Sequence, residues 1–196
     1  MFTGIIQAGG VLEGYRPGTA EFTIAANDIA ARIEPGGSLA VDGVCLTLVR
    51  REKDRLVFNL ARETSDLTTL GRLRAGTLLN LELPLTLTTP LGGHPVSGHV
   101  DFKAKIRRLV PRRPGVRLTV ALPKAHRPYF VPKGSVAVNG VSLTVAAVGP
   151  ASFDVEIIPA TLGATNLDRL RPGAEVNVEC DVIGKYVYNF WSRAHR

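Results

Sequence analysis

Gly37-Ser-Leu-Ala-Val-Asp-Gly-Val-Cys-Leu-Thr-Leu48 returns 97 residues later as Gly134-Ser-Val-Ala-Val-Asn-Gly-Val-Ser-Leu-Thr-Val145, with eight identities in twelve positions. The same offset, without a gap, lays Thr64 on Thr161, Thr68 on Thr165 and Leu70 on Leu167. It continues through Arg72 on Arg169, Gly76 on Gly173, Asn80 on Asn177 and Glu82 on Glu179. Two copies of one domain therefore make up the chain. Within each copy, two β-rich runs flank Asp42-Gly43 or Asn139-Gly140. Both residues of such a pair tolerate positive φ, so each copy holds a tight hairpin.

Residues 57–60, 78–83, 118–122, 153–158 and 175–180 supply further short strands. Five or six antiparallel strands in so short a copy close into a small barrel or sandwich. The Thr-Thr-Leu and Thr-Asn-Leu stretches at Thr68 and Thr165 fit single helical turns. A longer helix is expected only over 182–193, where Ile183, Val187, Phe190 and Trp191 recur at helical spacing. An amphipathic helix of that kind requires a partner surface, its own barrel or another subunit. The expected units are 1–88, 89–181 and a terminal helix over 182–196, with a turn-rich linker between Pro84 and Ser97.

Composition agrees. The 196 residues are 45% hydrophobic and include 20 Gly and 13 Pro, which suits many turns between short strands. The formal charge is +7, with basic residues in turn-like stretches such as Arg50-Arg51-Glu52-Lys53, Arg107-Arg108 and Arg112-Arg113. Aromatics do not interleave with them, so no nucleic-acid role is expected. Cys45 and Cys180 have no metal-ligand or disulfide spacing and point to a reducing, cytoplasmic setting. The N-terminus lacks a basic region followed by an apolar run, and no stretch has the length of a membrane span, so no membrane association is expected.

Met1-Phe-Thr-Gly-Ile5, Gly92-Gly-His94 with Gly98-His-Val-Asp101, the two repeat cores, and Asp181-Val-Ile-Gly-Lys-Tyr186 together resemble the riboflavin synthase family, in the right order across the whole chain. The resemblance implies an all-β fold of two tandem six-stranded Greek-key β-barrels with a C-terminal α-helix. It implies a homotrimer with active sites between the N-barrel of one subunit and the C-barrel of its neighbour. It also implies a reaction without a cofactor or metal, in which one 6,7-dimethyl-8-ribityllumazine gives a four-carbon unit to another. The products are riboflavin and 5-amino-6-ribitylamino-uracil. Association with lumazine synthase is left open.

Differences between the copies mark where donor and acceptor roles part. Cys45 lies opposite Ser142 in the repeat. A thiol can add to an electron-poor ring carbon, although a Cys in a strand is also an ordinary small hydrophobe. Ser142 suits hydrogen bonding. The titration range of the histidine side chain suits His99 to moving a proton of the acidic 7-methyl group or to orienting a nucleophile, although a His after Gly is more often a turn residue. His94 is the weaker candidate, and His126 and His195 read as surface residues. Ser38, Thr47 and Thr144 put hydroxyls beside the sites.

The resemblance carries over further positions. Gly4, Ile5, Ile6, Leu46, Gly98, Val100 and Leu143 are expected to line substrate, as is Lys133. Asn59, Leu60, Ala61, Arg62, Glu63 and Thr64 are expected as one extended lining strand, and Ile157, Ile158, Pro159, Ala160, Thr161 and Leu162 as the other. Phe2 is expected to stack on or shield the ring, and Asp181 to polarise the C-barrel site. The family's Glu-Thr-Leu becomes Ala160-Thr161-Leu162 in the second copy, which removes a carboxylate there. The rival reading is a non-catalytic lumazine or flavin carrier of the same fold. It requires loss of the second site's polar groups, which Ser142, Thr144 and Asp181 oppose.

Overall fold

The computed structural model describes residues 1–195; Arg196, the last residue of the expected terminal unit, lies outside the described residues. The first copy forms β1 (Ala8–Arg16), β2 (Glu21–Ala25), β3 (Ser38–Val41), β4 (Val44–Glu52), β5 (Arg55–Asn59) and β6 (Leu78–Glu82). They close in the order β1-β2-β5-β4-β3-β6, every neighbouring pair antiparallel. The second copy forms β7 (Phe102–Arg112), β8 (Gly115–Ala121), β9 (Ser135–Val138), β10 (Val141–Val148), β11 (Ser152–Ile157) and β12 (Glu175–Cys180). Its closed order, β10-β11-β8-β7-β12-β9, is the same circuit. Both are six-stranded Greek-key barrels. Two helices follow the repeat as well, α1 (Arg62–Leu67) and α2 (Pro159–Ala164), while α3 (Val182–Ala194) has no counterpart after β6.

Period-two patterning fills each barrel. Along β4, Val44, Leu46 and Leu48 turn inward, while Cys45 is half-buried and Thr47 exposed. Phe22, Phe58, Leu39 and Leu48 centre the first core, and Phe153, Val136, Val145 and Val178 the second. A separate small cluster of Phe2, Ala40, Val96 and Ala137, with Cys45 against it, lies at the junction of the barrels.

The hairpin residues have φ values of +46° and +77° at Asp42 and Gly43, and again at Asn139 and Gly140, as mirror-image turns require. These two turns also touch. A Cβ on Gly43 would lie 2.6 Å from the Gly140 nitrogen, so glycine is required there by close approach as well as by φ. Around them, Asn80 N and Asn166 Nδ2 donate to Asp42 Oδ1, while Asn177 Nδ2 donates to Asp42 O and Asn80 Nδ2 to Asn139 O. Each repeat thus satisfies buried groups of the other.

Two expectations are corrected. Arg50 and Arg51 lie on β4, and Arg107, Arg108 and Arg112 on β7, not in turns. Register shifts between Leu48 and Arg50, and between Ile106 and Arg108, break the alternation that would have marked them as strand. His126 is half-buried and stacks on Phe102 at a centroid distance of 4.4 Å, so it is not a plain surface residue.

Candidate active sites

The segment preceding each barrel does not stay with that barrel. Phe2 N donates to Val96 O at 2.7 Å and Val96 N to Phe2 O at 3.0 Å. From this bridge the two strands diverge to opposite partners. Ser142 N on β10 donates to Gly4 O at 2.8 Å, and Cys45 N on β4 donates to Gly98 O at 2.9 Å. Gly4 and Gly98 have φ of +75° and +83°, and a Cβ there would lie 2.6 Å from Ser142 Cβ and 2.5 Å from Cys45 Cβ. Only glycine fits at either crossing.

The N-barrel site forms where this crossing meets β4. Cys45 and Thr47 face outward, and Ser38 is the cross-strand partner of Thr47. The β4–β5 ladder ends at Leu48 opposite Phe58, so Asn59, Leu60 and Ala61 run on without pairing to β4. A gap edged by extended backbone can receive the hydrogen-bonding edge of a flat ring. Leu46, Leu60 and Val100 are buried in the core and offer this site main chain only. His99 is exposed, with its backbone N–H donated to Ser97 Oγ at 3.1 Å.

The C-barrel site repeats the plan with Ser142 and Thr144 outward on β10, and the ladder to β11 ending at Val145 opposite Val155. Leu143 and Ile157 are buried, whereas Ile5, Ile158, Pro159 and Ala160 are exposed and Ile6, Thr161 and Leu162 half-buried. Lys133 is exposed at φ +69°, its N–H donated to Val145 O. Ser135, the cross-strand partner of Thr144, opens onto a cavity of about 350 Å³ shared with Asp181, Tyr129, Tyr188 and Trp191. Sequence reasoning did not foresee this cavity, because it requires α3 to pack against the 3-10 turn at Lys124–Tyr129.

His94 is the residue that the sequence undervalued. It is 6% exposed, and its Nδ1 lies 2.7 Å from Ser142 Oγ. Burial pushes its pKa below the ordinary value, and the charge of Asp181 partly opposes that. In the tautomer with Nδ1 unprotonated, a neutral imidazole accepts the proton of such a hydroxyl. The only available signal was Gly92-Gly93, since Gly93 has no room for a Cβ between Thr3 O and Ser142.

Three expectations require revision. Arg62, Glu63 and Thr64 form the first turn of α1, and Pro159, Ala160, Thr161 and Leu162 open α2, so the extended lining strands stop at Ala61 and Ile158. Pro159 at the first helical position and the hydroxyls of Thr68 and Thr165, donated back to Thr64 O and Thr161 O, favour those turns. Phe2 is 0% exposed beneath Cys45 and Gly98, so it floors the site and cannot stack on a ring. Asp181 Oδ1 caps α3 by accepting from Ile183 N at 2.9 Å, and its charge raises the His94 pKa against the lowering by burial.

The lumazine binding domain model matches residues 3–84 and again 97–181. The chain belongs to the lumazine-binding-domain family. Riboflavin synthase of Bacillus subtilis (strain 168) is 35% identical over 197 residues, spanning 100% of this chain and 92% of that protein. Riboflavin synthase of Mycobacterium tuberculosis (strain H37Rv) is 38% identical over 193 residues, 95% and 96% of the two chains. Among solved structures, LumP complexed with riboflavin superposes with a TM-score of 0.84 at 26% identity, over 92% of this chain and 99% of that one. Both family matches begin within the crossing segments, at Thr3 and Ser97.

Proposed function

We propose that the chain is a riboflavin synthase, converting two molecules of 6,7-dimethyl-8-ribityllumazine into riboflavin and 5-amino-6-ribitylamino-uracil. The observation that carries this is the pair of outward-facing sites built on one plan but chemically unequal, Cys45 in one and the His94–Ser142 pair in the other. A dismutation requires two binding sites for one compound and different chemistry at each. Two substrates yield two products with no atom or electron left over, so the reaction requires no external oxidant.

Each site lies on the outer face of its barrel. Holding two reactants together can remove on the order of 7 to 11 kcal/mol from a bimolecular barrier, but only if two sites face each other. The homotrimer, with an N-barrel site covered by a neighbour's C-barrel site, answers that need. The exposed Ile183, Tyr186, Val187, Phe190 and Trp191 of α3 supply apolar surface for assembly. The two free cysteines suit the cytoplasm.

In the chemistry, Ser142 Oγ takes a proton from the 7-methyl group of one lumazine as its own hydroxyl proton passes to the unprotonated Nδ1 of neutral His94, leaving an imidazolium and an exomethylene anion delocalised over the ring. Cys45 faces the other lumazine as nucleophile or as shield for an attacking water. His99, Ser38, Thr47, Thr144 and Lys133 bond the carbonyls, ring nitrogens and ribityl hydroxyls. Calorimetric titration with riboflavin tests the arrangement: two ligands per chain are expected, with one site lost in Thr47→Val and the other in Thr144→Val. One ligand per chain, without turnover, would identify a carrier instead.

A further inference from the structure

Two buried carboxylates stand outside the chemistry just described, and each grips the segment that lines the other barrel's site. Glu82 closes β6 of the N-barrel and is 2% exposed. Its Oε1 accepts from Thr3 N and Thr3 Oγ1, both at 2.6 Å, and its Oε2 accepts from Gly4 N at 3.0 Å. Glu179, on β12 of the C-barrel and 3% exposed, repeats the arrangement on the linker. Its Oε1 accepts from Ser97 N at 2.6 Å and Ser97 Oγ at 2.7 Å, and its Oε2 from Gly98 N at 2.9 Å. Neither carboxylate has a cationic partner among the described residues; backbone N–H groups and one hydroxyl take its charge.

The grip extends one residue further. Thr3 Oγ1 accepts from Ile5 N at 3.1 Å, and Ser97 Oγ accepts from His99 N at 3.1 Å, so each carboxylate orients the next two peptides through a hydroxyl. Those peptides deliver Gly4 O to Ser142 N and Gly98 O to Cys45 N. We infer that Glu82 and Glu179 are positioning residues acting crosswise: the N-barrel carboxylate sets the C-barrel site, and the C-barrel carboxylate sets the N-barrel site. The inference rests on the assignment of these two sites under Proposed function. A cost of burying the carboxylates is visible at Glu82, whose pKa is raised by burial against the lowering by Thr3 and Gly4. That cost is expected where a precise backbone position matters more than stability.

Glutamine has the right shape but the wrong pattern. Whichever way its amide is turned, an NH₂ faces either the glycine N–H or the Thr3 or Ser97 donors. The test is amide hydrogen exchange of the full-length protein, read at Ser142 N–H and Cys45 N–H in Glu82→Gln and Glu179→Gln. Leaving one buried donor unmatched is expected to speed exchange by about tenfold or more. The expected pattern is crossed: Glu82→Gln releases Ser142 and spares Cys45, while Glu179→Gln releases Cys45 and spares Ser142. Thr3→Val and Ser97→Ala, which remove only the hydroxyl arm, should give the same crossed pattern more weakly, and they decide the matter if a glutamine variant does not fold. Release of both amides together, or of the amide in the carboxylate's own barrel, would overturn the inference. The exchange is measured without substrate, so it stands or falls independently of the synthase reading. In turnover, Glu179→Gln should raise the KM of the N-barrel site by about tenfold, and Glu179→Asp should not restore it, because the shorter arm cannot span both donors.

Discussion

His94 Nδ1 lies 2.7 Å from Ser142 Oγ although 48 residues separate them, and the first repeat offers Cys45 no corresponding imidazole. The crossing segments align at an offset of 94, Gly4 on Gly98, and not at the 97 of the barrels. The Ser142 hydroxyl has a buried imidazole on it, whereas His99, which follows Gly98 beside Cys45, is exposed.

His94→Gln is therefore expected to lower kcat by about 10² while leaving riboflavin binding at the N-barrel site intact. In the unmodified protein, burial depresses the His94 pKa, so the neutral form persists to a lower pH than an exposed histidine would allow. Protonation removes its capacity to accept. Activity should fall on the acid side, with its limb below the ordinary histidine range, and that limb should vanish in His94→Gln when kcat is followed against pH.

The two thiols should separate cleanly. Cys180 is 2% exposed, and burial, with Asp101 next, pushes its pKa well up, whereas Cys45 is half-buried on an outer face. Brief alkylation of the native protein, read by mass spectrometry, is expected to modify Cys45 and spare Cys180. Cys45→Ala should cut turnover at least tenfold. Cys180→Ala should instead lower the melting temperature, with a cavity cost of about 1 kcal/mol or more.

Asp42 is an ionisable group where its repeat partner Asn139 is not. Burial raises its pKa to about 7, against the lowering by hydrogen bonds from Asn80 and Asn166. With the folded value above the unfolded one, the folded state favours the protonated acid. Stability is fully present below the ordinary carboxylate value and is lost as pH rises towards and through about 7. A change from 3.8 to about 7 corresponds to at most about 4 kcal/mol. Asp42→Asn should be more stable than the parent at pH 8 and should lose that advantage near pH 4, as thermal unfolding across pH will show.

Gly4→Ala meets both a φ of +75° and a Cβ position 2.6 Å from Ser142 Cβ. It should destabilise the fold by about 1–3 kcal/mol and abolish the C-barrel site, leaving one riboflavin per chain. Gly98→Ala should abolish the other site.

What could be read from the sequence was local or periodic. Asp42-Gly43 and Asn139-Gly140 specify their turns over two residues, and the 97-residue offset specifies two barrels. The exchange of segments could not be read, because the bonds of Gly4 to Ser142 and of Gly98 to Cys45 span the barrels and follow the different offset of 94. Phe2 looked like a ring-stacking residue at an exposed terminus. Its bridge to Val96 and its packing against Ala40 and Ala137, one from each barrel, bury it. Helices α1 and α2 do not show in the sequence pattern, because they rest on the hydroxyls of Thr68 and Thr165 donating back to Thr64 O and Thr161 O, a contact that a strand-like Thr run conceals.

The central claim is most directly tested by mixing the purified protein with 6,7-dimethyl-8-ribityllumazine alone, with no cofactor, and following substrate and both products. The account predicts loss of two lumazines for each riboflavin and each 5-amino-6-ribitylamino-uracil formed. Saturable lumazine binding with no riboflavin formed would contradict it.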